Sequence, residues 1–239
     1  MNYIHIGNIA DFAYTNEHLL GNPPVGIVPY LHGLGRGQRL KEDLEGGIYL
    51  AKRDILLVYP YSCTWGWANE ETMGYIDECV DVFLAKYGDA LPVCIAGGSM
   101  GGLSALVYAC TTRRKLVACA ADCPVCDLSR QFEEKPEIRQ TIYTAYYGEK
   151  DFAAAIKERS PVANIAKFPH IPYYINHGYG DTAVPKTQHS DLFVSLMRSA
   201  GYDVTYAEPD TAHCKYTEES FEKYYGFMAE AIRSAAGGR

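Results

Sequence analysis

The chain holds 239 residues, 48% of them hydrophobic and 21% charged, with a net charge of −7. That balance excludes a disordered, collagen-like or coiled-coil chain and supplies material for a sizeable core, so one α/β domain is expected over residues 1–239. The acidic charge excludes nucleic acid and membrane surfaces as expected partners, because no basic run is longer than Arg113-Arg114-Lys115.

Residues 3–15 suit a first antiparallel pair of strands. Residues 26–32 read as a strand ending in a glycine-rich turn, and 54–60 as a strand buried on both faces. Met73, Ile76, Val80, Phe83, Leu84 and Tyr87 then recur at helical spacing, with Asp77, Glu78 and Asp81 opposite. A strand over 92–97, a helix over 100–112 and a strand over 116–121 follow. The stretch 122–168, rich in charge and tyrosine, breaks the rhythm and reads as a small cap lying over one edge of the sheet.

Residues 171–176 resume the pattern. A helix with Leu192, Phe193, Leu196, Met197 and Ala200 on one face comes next, stopped by Gly201. The last strand covers 203–207. Thr217 can cap a final helix carrying Phe221, Tyr225, Met228 and Ile232, with Glu218 and Glu219 in its first turn. Short apolar runs alternating with amphipathic stretches predict parallel strands joined by crossover helices.

No apolar run approaches the roughly 18 residues that span a bilayer. The opening Met1-Asn2-Tyr3-Ile4-His5 lacks the basic and apolar regions of a signal peptide, so a cytoplasmic protein is expected. Four of the eight cysteines, Cys79, Cys94, Cys110 and Cys119, lie in apolar stretches, where cysteine behaves as a small hydrophobe. No disulfide framework is expected.

The sharpest chemical signal is Gly97-Gly98-Ser99-Met100-Gly101-Gly102, a G-x-S-x-G pattern directly between a strand and a helix. A serine on so tight a turn is forced into a strained conformation with its Oγ above the sheet, and its neighbours two positions away must lack a Cβ. A phosphate loop is the competing reading. It is disfavoured because no Gly-Lys-Ser/Thr follows, and Gly33-Leu34-Gly35-Arg36-Gly37 meets Gln38 where G-x-G-x-x-G needs glycine.

A serine hydroxyl needs a base and an orienting acid to become a nucleophile. His213 is the one histidine between the last strand and the final helix. His177 and His32 read as structural, and His5, His18, His170 and His189 have no matching context. Asp181 follows the strand at 171–176; Asp122 and Asp127, after the strand at 116–121, are rival acids. Cys123-Pro-Val-Cys126 is a single CxxC without a second pair at metal-ligand spacing, so no metal site is expected, and Cys214 reads as a packing residue.

On these residues the chain resembles the alpha/beta-hydrolases over roughly 26–235. The resemblance rests on His32-Gly33-Leu34-Gly35, on the elbow at Ser99, on His177-Gly-x-x-Asp181-x-x-Val184-Pro185, and on His213. The block from Ser160-Pro161 to Val184-Pro185 is similar to the prolyl-oligopeptidase-like and small carboxylesterase branch. A missing HGGG element argues against the hormone-sensitive-lipase branch. The resemblance implies a three-layer fold on a mostly parallel eight-stranded sheet, with Ser99 as nucleophile, His213 as base and Asp181 as orienter. It also implies an oxyanion hole from the N–H groups of Met100 and Leu34, with Gly33 as a further candidate, and no cofactor.

Trp65 and Trp67 share one loop after the strand at 54–60, where two indoles could stack on a sugar ring or an aromatic acyl group, or wedge the loop against the core. Tyr143, Tyr146 and Tyr147 could add a wall. The expectation is therefore a serine esterase acting on small esters, including acetyl or feruloyl esters of carbohydrates. Its activity should rise with pH around an ordinary histidine pKa of about 6.5. Small-peptide or aminoacyl-amide hydrolysis ranks second, since residues 1–25 cannot hold the N-terminal domain usual among the peptidases. A non-catalytic binding protein on the same fold ranks third.

Overall fold

The computed structural model describes residues 3–237. Its seven strands are β1 (Ala13–Thr15), β2 (Gly26–Leu31), β3 (Ile55–Pro60), β4 (Val93–Gly98), β5 (Leu116–Asp122), β6 (Tyr173–Asn176) and β7 (Val204–Ala207). They form one sheet in the order β1-β3-β2-β4-β5-β6-β7. Every neighbouring pair is parallel except β1 and β3.

Helices α1 (Glu45–Ala51), α2 (Glu70–Tyr87), α3 (Met100–Thr111), α7 (Ser190–Ser199) and α8 (Glu218–Gly237) cover the sheet. Three more, α4 (Leu128–Glu134), α5 (Pro136–Ala145) and α6 (Phe152–Glu158), occupy the stretch expected as an excursion.

Strand alternation decides which residues each layer buries. Ile27, Leu56, Ile95, Cys119 and Ile175 point to one face, under Ile76 and Phe83 of α2, Leu103 of α3 and Phe193 of α7. Val28, Leu57, Ala96, Ala120 and Tyr174 point to the other, against Leu50 of α1 and Tyr224, Met228 and Ile232 of α8. This is the three-layer α/β arrangement. Thr217 caps α8 as expected: its Oγ1 accepts from Ser220 N at 3.1 Å, while Ser220 Oγ accepts from Thr217 N at 2.9 Å.

Two expectations are corrected. The described residues contain seven strands rather than eight, and residues 3–15 do not form an antiparallel pair. The Asn8 side chain accepts from His5 N at 2.7 Å and turns the chain, and Ile9–Asp11 form a 3-10 turn. Only Ala13–Thr15 remains extended, and it pairs with β3 instead. Helix α1 was not expected, because Gly46 and Gly47 weaken its helical signal. Tertiary packing explains Gly46: a Cβ there would lie 2.1 Å from the Tyr225 ring of α8. Among the described residues, no helix is long and apolar enough to cross a membrane.

Candidate active site

The C-terminal ends of β2, β4, β6 and β7 meet along one edge of the sheet, where open α/β sheets place ligands. Ser99 leaves β4 with φ 59° and ψ −122°, a left-handed conformation rare for any residue with a side chain. Its N–H is tied to Asp122 O at 2.8 Å. The flanking glycines make the turn possible, since a Cβ on Gly97 would sit 2.3 Å from Gly101 O, and one on Gly101 would sit 2.0 Å from Leu31 O. Gly101→Ala must therefore push α3 away from β2. A loss of about 1–3 kcal/mol is expected from such overpacking, read as a lower urea midpoint; an unchanged midpoint would contradict the packing described.

Ser99 Oγ lies 2.9 Å from His213 Nε2, and His213 Nδ1 lies 2.6 Å from Asp181 Oδ2. The tautomer that satisfies both contacts carries its proton on Nδ1, so the serine hydroxyl donates to Nε2. Asp181 follows β6, and its side chain is fully shielded from solvent. Its Oδ1 accepts from Ala183 N at 2.9 Å and Val184 N at 3.0 Å, and His177 Nε2 lies 3.1 Å from its Oδ2. Burial would raise the Asp181 pKa, but the His177, His213 and Val184 donors outweigh it and hold the carboxyl well below the usual carboxylate range.

Burial opposes protonation of His213, yet the Asp181 carboxylate outweighs it and raises the imidazole pKa above its ordinary value. A general base works only when neutral, so activity should disappear as pH falls through that raised pKa. The acid limb of kcat/KM is thus expected to have its midpoint above about 6.5. A midpoint below that value would contradict the Asp181–His213 coupling.

The rival acids are engaged elsewhere. Asp122 accepts from Asn176 Nδ2 at 2.7 Å, and burial raises its pKa against the donors Asn176, Tyr216 and Cys123. Asp127 caps α4 by accepting from Arg130 N at 3.0 Å. The turn after β2 borders Ser99, because a Cβ on Gly33 would lie 3.6 Å from Ser99 Cβ. His32, buried under this turn, donates from Nδ1 to Gly33 O at 3.0 Å and accepts from Ser62 Oγ at 2.8 Å. Among the described residues, neither Leu34 N–H nor Met100 N–H has a protein acceptor, so both remain available to a ligand.

A cleft of about 620 Å³ opens over Ser99 and His213. Leu34 and Trp67 border it, together with Gln131, Lys135 and Ile138 from the α4–α5 segment. Trp65, Tyr143 and Tyr146, expected as substrate contacts, are not on its wall. The loop passes through left-handed Trp67 and Ala68 (φ 42° and 60°), which buries Trp67 and leaves Trp65 40% exposed. Trp67 Nε1 donates to Thr141 Oγ1 at 2.9 Å. Tyr146 is drawn under the loop by donating its hydroxyl to Trp67 O at 2.6 Å. Tyr143 packs on Tyr147 and Phe152.

Two contacts were not anticipated from the sequence. His177 touches the acid, for which its spacing four residues before Asp181 was the available signal. Cys123 and Cys214, 91 positions apart, meet beside His213: Cys214 N donates to Cys123 Sγ at 3.2 Å. Contact with Cys214, reinforced by burial, holds the Cys123 thiol protonated.

A strained serine at a strand-to-helix elbow, backed by an imidazole and a buried carboxylate on a three-layer sheet, defines the serine hydrolases of the α/β-hydrolase fold. Within that class the chain belongs to the prolyl oligopeptidase family, whose profile matches residues 71–235. No curated protein matches the sequence.

Solved structures similar in fold include a Mycobacterium tuberculosis puromycin-hydrolyzing peptidase (TM-score 0.73, 18% identity), with 91% of this chain and 35% of that one covered. A Pyrococcus horikoshii acylaminoacyl peptidase (TM-score 0.71, 15% identity) is covered over 38% of its length by 91% of this chain. Esterase B from Lactobacillus rhamnosis (TM-score 0.70, 17% identity) is covered over 78% of its length by 92% of this chain. The chain thus spans little more than a third of the peptidases' length and most of the esterase's.

Proposed function

We propose that this chain is a serine esterase that cleaves small esters of short acyl or aromatic acids through an acyl-enzyme. The observation that carries the reading is the continuous hydrogen-bonded series Ser99–His213–Asp181, at 2.9 and 2.6 Å, opening into a cleft of small-molecule size. Ser99 Oγ attacks the ester carbonyl while neutral His213 takes its proton on Nε2. The N–H groups of Leu34 and Met100 receive the charge that develops on the carbonyl oxygen.

Protonated His213 then donates to the departing alcohol as the tetrahedral intermediate collapses. Water, deprotonated by the same imidazole, attacks the acyl-enzyme, and collapse returns the proton to Ser99 and frees the acid. Asp181 keeps the productive tautomer throughout. In this reading residues 1–239 act as one hydrolase domain, with 122–168 as a cap that supplies Gln131, Lys135 and Ile138 to the cleft. Trp67 offers an apolar wall to the acyl group. Since Trp65 lies off the cleft, no paired indole platform supports a sugar-bearing alcohol.

Hydrolysis of small aminoacyl amides is the second reading, favoured by membership of the prolyl oligopeptidase family. The same residues can serve it, because His213 can protonate an amine leaving group as readily as an alcohol. A panel of p-nitrophenyl acetate and butyrate, methyl ferulate and alanyl p-nitroanilide separates the two. Short-acyl esters are expected to exceed the anilide in kcat/KM by about 100-fold, some 3 kcal/mol of barrier. The opposite ranking would transfer the chain to the amidases.

A further inference from the structure

Beside the triad, and unused by it, lie two thiols. One ligand atom each from Cys123, His213 and Cys214 falls within 4.8 Å of the others. Cys214 Sγ is 3.7 Å from His213 Nε2. A tetrahedral zinc ion, with Zn–N of about 2.1 Å and Zn–S of about 2.3 Å, separates a nitrogen from a sulfur ligand by about 3.6 Å and two sulfurs by about 3.8 Å. The Cys214–His213 pair is therefore already at ligand spacing, and Cys123 Sγ, within 4.8 Å of both, needs to close on each by no more than about 1 Å.

Both cysteines hold left-handed backbones, with φ of 44° and 49°. Local sterics do not favour that conformation for cysteine, and here it accompanies sulfurs from two distant chain segments converging on one imidazole. Cys214 and His213 border the cleft, so an ion can arrive from solvent. Two soft sulfurs and an imidazole suit zinc in preference to calcium or magnesium.

We propose that Cys123, Cys214 and His213 form an inhibitory site for a thiophilic divalent cation of the zinc type. Binding deprotonates both thiols, releases two protons to solvent, and puts His213 Nε2 on the metal. Ser99 then loses the base that takes its proton. The cation and the serine hydroxyl compete for one lone pair, so metal-bound protein is inactive and chelation restores it. The inhibitory half of this inference rests on the triad reading above; the binding half does not.

Cobalt(II) titration of the metal-free protein tests the binding half directly. One equivalent should produce a thiolate-to-cobalt charge-transfer band with the strong visible bands of tetrahedral cobalt, and zinc should bleach both. Cys123→Ala and Cys214→Ala should each abolish the band, while Cys126→Ala, outside the cluster, should keep it. Should either cysteine variant fail to fold, zinc protection of wild-type Cys214 from iodoacetamide, read by peptide mass spectrometry, reports the same contact. No band from folded wild-type protein, a band surviving in either cysteine variant, or alkylation of Cys214 unaffected by zinc would each overturn the site.

Zinc should also suppress hydrolysis of p-nitrophenyl acetate, with Cys123→Ala weakening that inhibition by about 100-fold. Binding without inhibition would overturn the inhibitory role. Fluorophosphonate labelling of Ser99 in metal-free protein keeps the readings separate: an unlabelled serine sinks the triad and leaves the cobalt result standing.

Discussion

Ser99→Ala is expected to lower kcat for p-nitrophenyl acetate by about 10⁴- to 10⁶-fold, the range seen when a serine nucleophile is removed from an intact triad. The size follows from the mechanism. Without Oγ no acyl-enzyme forms, and only substrate binding and the two N–H donors remain to assist attack by water. The fold should survive, because alanine adopts the left-handed turn at φ 59° no less readily than serine. Loss of activity with an unchanged urea midpoint is thus the expected pair of results. A variant retaining most of the wild-type rate would remove Ser99 from the chemistry.

Asp181→Asn is expected to lower kcat by about 10⁴-fold, through a change of one proton's position. Oδ1 accepts from the Ala183 and Val184 N–H groups, so the amide oxygen of asparagine must take that place. Its NH₂ group then replaces Oδ2 and faces His213 Nδ1, formerly 2.6 Å from an acceptor. To avoid opposing donors, the imidazole must accept at Nδ1 and carry its proton on Nε2, where it cannot take one from Ser99. Asp127→Asn is the control, because asparagine caps a helix as well as aspartate does. Wild-type activity in Asp181→Asn, or its loss in Asp127→Asn, would mean that the wrong acid has been placed on the imidazole.

Much of the fold was legible because it is written in local patterns. Strands β2 to β7 fall within a residue or two of their predicted ranges, since a buried parallel strand shows as an uninterrupted apolar run. The elbow at Ser99 was legible for a related reason: only glycine fits at 97 and 101 against Gly101 O and Leu31 O. Failures came where context overrides propensity. Helix α1 contains two glycines and forms against Tyr225, while residues 3–15 are turned by Asn8 before a strand pair can extend.

The cleft wall was less legible than the elbow. Trp65 and Trp67 are two residues apart, and the loop's left-handed turn sends one to solvent and buries the other. No spacing rule reports that turn. Likewise, nothing in one chain relates Cys123 to Cys214, because their meeting depends on where the loops after β5 and β7 end.

By itself, the sequence determined the order of strands β2 to β7 with helices α2, α3, α7 and α8, the strained serine and the position of a histidine before the last helix. Each of these is a consequence of backbone sterics or burial acting within a few residues. Tertiary structure alone decided among Asp181, Asp122 and Asp127, removed Trp65 from the cleft and set two thiols beside the imidazole. Those outcomes turn on contacts of 2.6 and 3.2 Å between groups far apart in the chain, which loop paths and packing set and local composition does not encode.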